Sequence, residues 1–292
     1  MTQAALRQPD IEPRENLQFG LDEDIPKYWF RNDPFKTRFM DGLQIGFPDG
    51  ERYFISSVRA FRDRITDPKQ QQDVKDFTRQ EGQHGIAHTL YNQRLEKQGM
   101  PIPQMLVQHK ERMKQFEKRF SPEFNVALTA AFEHYTALMA DAFFGRAEVM
   151  EGTDHRIKSL FAWHAIEEME HRSVAFNVMQ KVARVGYFKR ALAMIYGTWE
   201  TTVVMFKQLD KLLEADGFSK RERRAMLIKN LGWLYGRKGI LSAFTPQLLA
   251  YFKPGFHPEQ IPVMHNYPTW IETYKRTDDP QQACDALMAA AH

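Results

Sequence analysis

Two Glu-x-x-His steps, Glu81-Gly82-Gln83-His84 and Glu168-Met169-Glu170-His171, stand far apart in the chain, and each follows a lone glutamate, Glu51 or Glu133. Residues three apart in an α-helix lie about one turn apart on the same side, so the carboxylate and imidazole of one step can grip a single ion. Two helices giving one Glu each and two giving Glu-x-x-His make the ligand inventory of a two-metal carboxylate site inside a four-helix bundle. An all-α chain with a four-helix bundle is therefore expected.

The spacing supports two hairpins. Thr66-Asp67-Pro68 reads as a helix stop, an N-cap and a proline suited to a first helical turn. Glu51 lies 15 residues before Thr66, while Glu81 and His84 lie 14 and 17 residues after Asp67. In an antiparallel hairpin the three groups then share one height, roughly 20–25 Å from the turn at about 1.5 Å per residue. Around Gly152-Thr153 the construction repeats, with Glu133 19 residues before Gly152 and Glu168 and His171 15 and 18 after Thr153. One such layer could arise by chance among 37 acidic residues and 10 histidines, but two are much harder to obtain by accident.

Pro, Asp and Glu dominate the start of the chain, so residues 1–34 read as an extended arm, 35–186 as the metal-binding bundle, and 187–292 as a helical layer packed on the same domain. Helices are expected at about 47–65, 68–98, 104–119, 122–151 and 154–185, then near 188–215, 220–235 and 241–251. A net charge of +3 with no Lys/Arg block gives no nucleic-acid footprint. The single cysteine, Cys284, excludes an intrachain disulfide and a cysteine-rich zinc site. With no signal-type apolar core in MTQAALRQPDIEPRENLQFG, a cytoplasmic enzyme is expected. The apolar run 191–206 is too short to span a bilayer and contains Glu200. Burial, or a face for a second copy in a homodimer, is its expected use over a membrane-surface role, which would also call for a basic flank, with the wall of an apolar tunnel as a minor alternative.

Helix-face arithmetic at about 100° per residue places Glu81, His84 and His88 within roughly 60°, and His164, Glu167, Glu168 and His171 within about 100°. Glu170 points away and is the poorest ligand candidate. Glu167 and Glu168 could each join His171, and the parallel with Glu81 favours Glu168. The expected metal ligands are thus Glu51, Glu81, His84, Glu133, Glu168 and His171. Glu167 is expected behind them, orienting an imidazole of the other hairpin through its second N–H, with His88 and His164 in supporting or catalytic places. Small residues beside Glu133, namely Thr129, Ala130, Ala137 and Ala140, are expected to leave room for substrate.

The strings FPDGERYF (47–54), QEGQHGIAHTLYN (80–92), AFEHYTA (131–137), WHAIEEMEHRSVAFNV (163–178) and YFKPGFHP (251–258) resemble the blocks of the predicted metal-dependent hydrolases, a bacterial family with a ferritin-like core. The Glu167-Glu168-Met169-Glu170-His171 step is also similar to the Glu-Glu-x-x-His motif of soluble fatty-acyl desaturases, whose second acid is the ligand; this again implies Glu168. Four carboxylates and two imidazoles suit two ions, with iron expected first and manganese or zinc as alternatives. The leading expectation is a di-iron oxidase or oxygenase using O2 on a small or acyl-type substrate. The alternative is a two-metal hydrolase that activates a bridging water, with Glu167 or His88 as general base. Iron handling without catalysis is the third.

Overall fold

Acidic, hydroxyl and proline residues set where the helices begin in the computed structural model, which describes residues 9–291. Residues 1–8 of the expected arm, with the start of the stretch read for a leader, lie outside the described residues; residues 9–33 contain no helix. Helix α1 (Pro34–Gln44) starts where the Asp33 carboxylate accepts from the Lys36 N–H. It is followed by α2 (Phe47–Arg59), α3 (Pro68–Lys97, capped by Asp67) and α4 (Ile102–Arg119). Then come α5 (Pro122–Phe144, capped by Ser121), the short α6 (Ala147–Met150), α7 (His155–His171, capped by Asp154) and the short α8 (Val174–Asn177). The remainder holds α9 (Tyr187–Ala215), α10 (Lys220–Tyr235), α11 (Thr245–Ala250), α12 (Tyr267–Thr277) and α13 (Pro280–Ala289). The chain is all-α: among the described residues there is no strand, only one antiparallel bridge, Phe30 to Thr153.

The packing follows the two hairpins. Helix α2 lies on α3 and α5 on α7, and the pairs join through α2–α5 and α3–α7 contacts. Helix α9 covers α5 and α1, while α13 covers α7. Buried apolar residues form two clusters, one around Phe39, Trp163 and Trp270, the other around Tyr53, Phe77 and Tyr251. Burying each such side chain contributes about 1.5–3 kcal/mol. Trp163 of the first cluster meets the His84 ring at 4.8 Å and Phe77 of the second meets His171 at 5.1 Å, so the polar layer sits where the clusters join.

Three expected boundaries move. Helix α2 ends at Arg59, and a 3-10 turn at Arg62–Arg64 completes the segment expected to run to 65. Helix α5 stops at Phe144 rather than near 151, because Gly145 caps it; a Cβ at Gly145 would lie 2.7 Å from the Asp141 carbonyl. The expected helix 154–185 breaks after His171, where buried Arg172 reaches the Pro262 carbonyl, and resumes as α8 and a π-turn at Val178–Val182. Helices α1, α12 and α13 were not expected. No helix is long and apolar enough to cross a membrane among the described residues. The 191–206 run buries Ala193, Met194 and Met205 and leaves Leu192, Ile195 and Trp199 exposed.

Candidate metal centre

Glu51 from α2, Glu81 and His84 from α3, Glu133 from α5, and Glu168 and His171 from α7 are all buried in one layer. His171 Nε2 lies 3.1 Å from Glu81 Oε1, 3.2 Å from Glu133 Oε2 and 3.4 Å from Glu168 Oε2. Donor atoms of Glu51, Glu81 and His84 come within 4.8 Å of one another, as do those of Glu81, Glu168 and His171, so Glu81 is common to both groups. None of these approaches has hydrogen-bond geometry: among the described residues neither oxygen of Glu51, Glu81 or Glu133, nor His84 Nδ1 or His171 Nε2, makes a hydrogen bond. A buried polar group without a partner costs about 1–3 kcal/mol, and more when charged. Several such atoms converging on one spot form a donor set that fits divalent cations.

Burial, together with Glu81, Glu168 and Glu133, pushes the Glu51 carboxyl well above its ordinary range. Burial and Glu81 do the same to Glu133, and burial also raises Glu81. Burial opposes a charge on His171, yet Glu133 and Glu168 hold its proton affinity well above normal. Burial disfavours the Glu168 carboxylate too, but the neighbouring His171 overcomes it and holds its pKa well below the usual range. His84 is held neutral by burial, as a ligand must be.

Each imidazole is anchored from behind. Glu167 Oε2 accepts from His84 Nε2 at 3.1 Å, which leaves Nδ1 facing the carboxylates. Gln80 Oε1 accepts from His171 Nδ1 at 2.8 Å, which leaves Nε2 inward, and the Gln80 amide donates to Glu170 Oε2 at 2.7 Å. Arg14 joins the two supports: its Nη1 donates to Glu167 Oε1 and Glu170 Oε2, both at 3.1 Å, and its Nη2 to Glu170 Oε1 at 2.8 Å. Its guanidinium lies 5.2 Å from the Trp270 ring centroid. Sequence reasoning missed Arg14 and Gln80. Gln80 directly precedes the first Glu-x-x-His, but Arg14 sits in a segment with no periodicity to read.

Glu51, Glu168 and His164 also line a cavity of about 140 Å³ walled by Phe47, Phe54, Phe116, Phe132, Met139 and Met205. Thr201 and Val204 of the 191–206 run belong to the same wall, beside the ion pair of Arg112 with Glu200. None of the four expected pocket residues lines this cavity. Thr129 bonds Ser57 at 2.6 Å, Ala130 is packed in the second apolar cluster, Ala137 faces the Met169 side, and Ala140 lines a smaller cavity of about 40 Å³ with His164 and Glu168. On α5 the large cavity meets Phe132, Thr136 and Met139, well round the helix from Ala130 and Ala137. Glu167 and His88 have no free atom to act as base toward this cavity: Arg14 and His84 occupy the first, Gln44 and His164 the second.

The model of the predicted metal-dependent hydrolases matches residues 13–261. The chain belongs to this family. Comparisons with curated proteins and with solved structures give no significant match. Membership in the predicted metal-dependent hydrolases favours hydrolysis over the oxidation expected first. The physical reason for that correction is that carboxylates and imidazoles serve zinc, manganese and iron alike, so the donor set did not select a redox metal.

The metal-free layer makes a pH prediction. For Glu51, Glu81, Glu133 and His171 the folded pKa is raised, so each contributes stability below its unfolded value and loses it as pH rises through the folded one. Glu167, raised by burial to about 7, acts the same way between about pH 4.5 and 7. His84 and His88, held neutral, oppose this only below about pH 6.5. The metal-free protein should therefore lose stability above pH 6.5, by about 1.4 kcal/mol per pH unit for each proton released. Calorimetric scans across pH 6.5–8.5, with and without excess Zn(II), would show the metal-free Tm falling and the loaded one holding. A flat metal-free profile would mean that these carboxylates are ionised in the empty site.

Proposed function

We propose that this layer holds two divalent cations and that the protein is a two-metal hydrolase of a small, largely apolar substrate. The observation that carries the reading is the convergence of unpartnered buried carboxylate oxygens and imidazole nitrogens. Glu51 with His84 and Glu133 with His171 would each serve one ion, and Glu81 and Glu168 would lie between them. Bound there, such ions supply Lewis acidity toward the scissile bond and activate the attacking water.

The chain's own residues do the rest. Phe47, Phe54 and Phe132 exclude bulk water from the substrate side and favour an apolar body. The Thr136 hydroxyl, 2.5 Å from Glu168 Oε2, fixes that carboxylate where it meets the cavity. Glu167, Gln80 and Glu170 fix the imidazole tautomers.

The four-carboxylate set also supports a second reading, an O2-using di-iron enzyme. Zn(II)-loaded or Mn(II)-loaded protein should cleave members of an aryl ester, amide and phosphoester panel under anaerobic conditions. Fe(II)-loaded protein that consumes O2 with new visible absorption, while the zinc form cleaves nothing, would reverse the order. Protein that binds no metal would remove both readings.

A further inference from the structure

A chain of hydrogen bonds whose direction is fixed at one end runs into the metal layer and ends on His164. The Ile45 backbone carbonyl can only accept, and Asn92 Nδ2 donates to it at 3.0 Å. Asn92 therefore offers Oδ1 to Gln44, whose Nε2 donates at 3.0 Å. That turns Gln44 Oε1 toward His88 Nδ1, 3.1 Å away, so this nitrogen carries the hydrogen. His88 is fully buried. As a neutral ring it has one hydrogen, already used, and its Nε2 must accept from His164 Nδ1 at 2.5 Å. The one hydrogen of a neutral His164 is used in turn. Its Nε2 then presents a bare lone pair to Glu168 Oε1, 2.8 Å away. At that distance either a proton or a cation must lie between the two atoms, and the donor atoms of His84, His164 and Glu168 all fall within 4.8 Å of one another, which is the spacing of a cation's ligands.

The same logic holds at the two expected imidazole ligands, where the outer nitrogen donates to Glu167 or Gln80 and the inner one is left for an ion. The His164 and His84 rings stack at 4.2 Å and 16°, and donor atoms of His84, His164 and Glu168 lie within 4.8 Å of one another. On α7, His164, Glu168 and His171 follow at i, i+4 and i+7, one continuous face.

Resting on the two-metal reading above, we propose that His164 Nε2 is a direct ligand of the ion held by His84, so that the centre has three imidazoles and four carboxylates. The two positions are then unequal. The ion served by His84 and His164 lies on the cavity side, where Glu51, His164 and Glu168 form part of the wall. Its second imidazole shifts this position away from Mg(II) and toward borderline ions such as Zn(II), Fe(II) or Co(II).

The full chain carrying 15N-labelled histidine and loaded with 113Cd(II) provides the test, because scalar coupling between the two nuclei requires a bond. The expected spectrum has three cadmium-split imidazole nitrogens, one Nδ1 from His84 and two Nε2 from His171 and His164. His164→Gln should remove one of the two Nε2 signals and leave the Nδ1 signal. The wild-type count stands alone if that variant fails to fold. One split Nδ1 and one split Nε2 would overturn the proposal while keeping the two-metal centre, with a proton between His164 and Glu168. Protein that takes up no cadmium, confirmed with Zn(II) and Fe(II), would overturn the centre and the proposal together.

Discussion

Glu133→Leu is expected to make the metal-free protein more stable while, on the two-metal reading, it removes one ion. Glu133 is fully buried, neither of its oxygens makes a hydrogen bond among the described residues, and His171, which lies 3.2 Å from it, keeps Glu81 and Glu168 as counter-charges when Glu133 is removed. An apolar side chain of similar size removes a group whose burial costs about 1–3 kcal/mol, and it also relieves repulsion from Glu81. Metal analysis after loading should fall from two ions per chain toward one, and chemical denaturation of the metal-free form should show a gain on the order of 1–3 kcal/mol. Lower stability with unchanged metal content would make Glu133 a structural residue and strike it from the ligand set.

Arg14→Met should have the opposite signature, a large loss of stability together with weakened metal binding. It leaves the buried Glu167 and Glu170 carboxylates without the cation that neutralises both, and breaking a buried pair from one side costs about 3–5 kcal/mol. Burial opposes even the Arg14 charge, and the two acids overcome it. Because Glu167 and Glu170 in turn hold the His84 and His171 tautomers, metal affinity should drop roughly 10–100-fold. Arg14→Met combined with Glu170→Gln should recover part of the stability, since one orphaned charge is gone. A loss under about 1 kcal/mol, the range of an exposed pair, would mean that water replaces the arm over the support network.

The helical class and the grouping of Glu51, Glu81, His84, Glu133, Glu168 and His171 in one buried layer were legible in the sequence because helical geometry is periodic. Glu-x-x-His places two donors on one side whatever the surroundings, and similar counts from Thr66-Asp67 and, within about one helical turn, from Gly152-Thr153 bring the donors to one height without any knowledge of packing. The same local chemistry could have found more. Asp33-Pro34 and Asp279-Pro280 carry the cap-and-proline signal that was read at Asp67-Pro68, and α1 and α13 begin there. Gly145 was an equally local stop for α5.

Other features are decided only by tertiary structure, because they join residues with no sequence relation. Arg14 reaches across 153 and 156 positions to Glu167 and Glu170, and the cavity is completed by side chains of α2, α4, α5 and α9. Which flank of α5 borders empty space depends on where α9 lies, so small residues beside Glu133 could not locate the pocket. The tautomer of each histidine is set by its outer partner, and Gln44 stands 44 residues from His88. Sequence determined which side chains share a helix face; three-dimensional packing decided which of them find a hydrogen-bond partner and which do not.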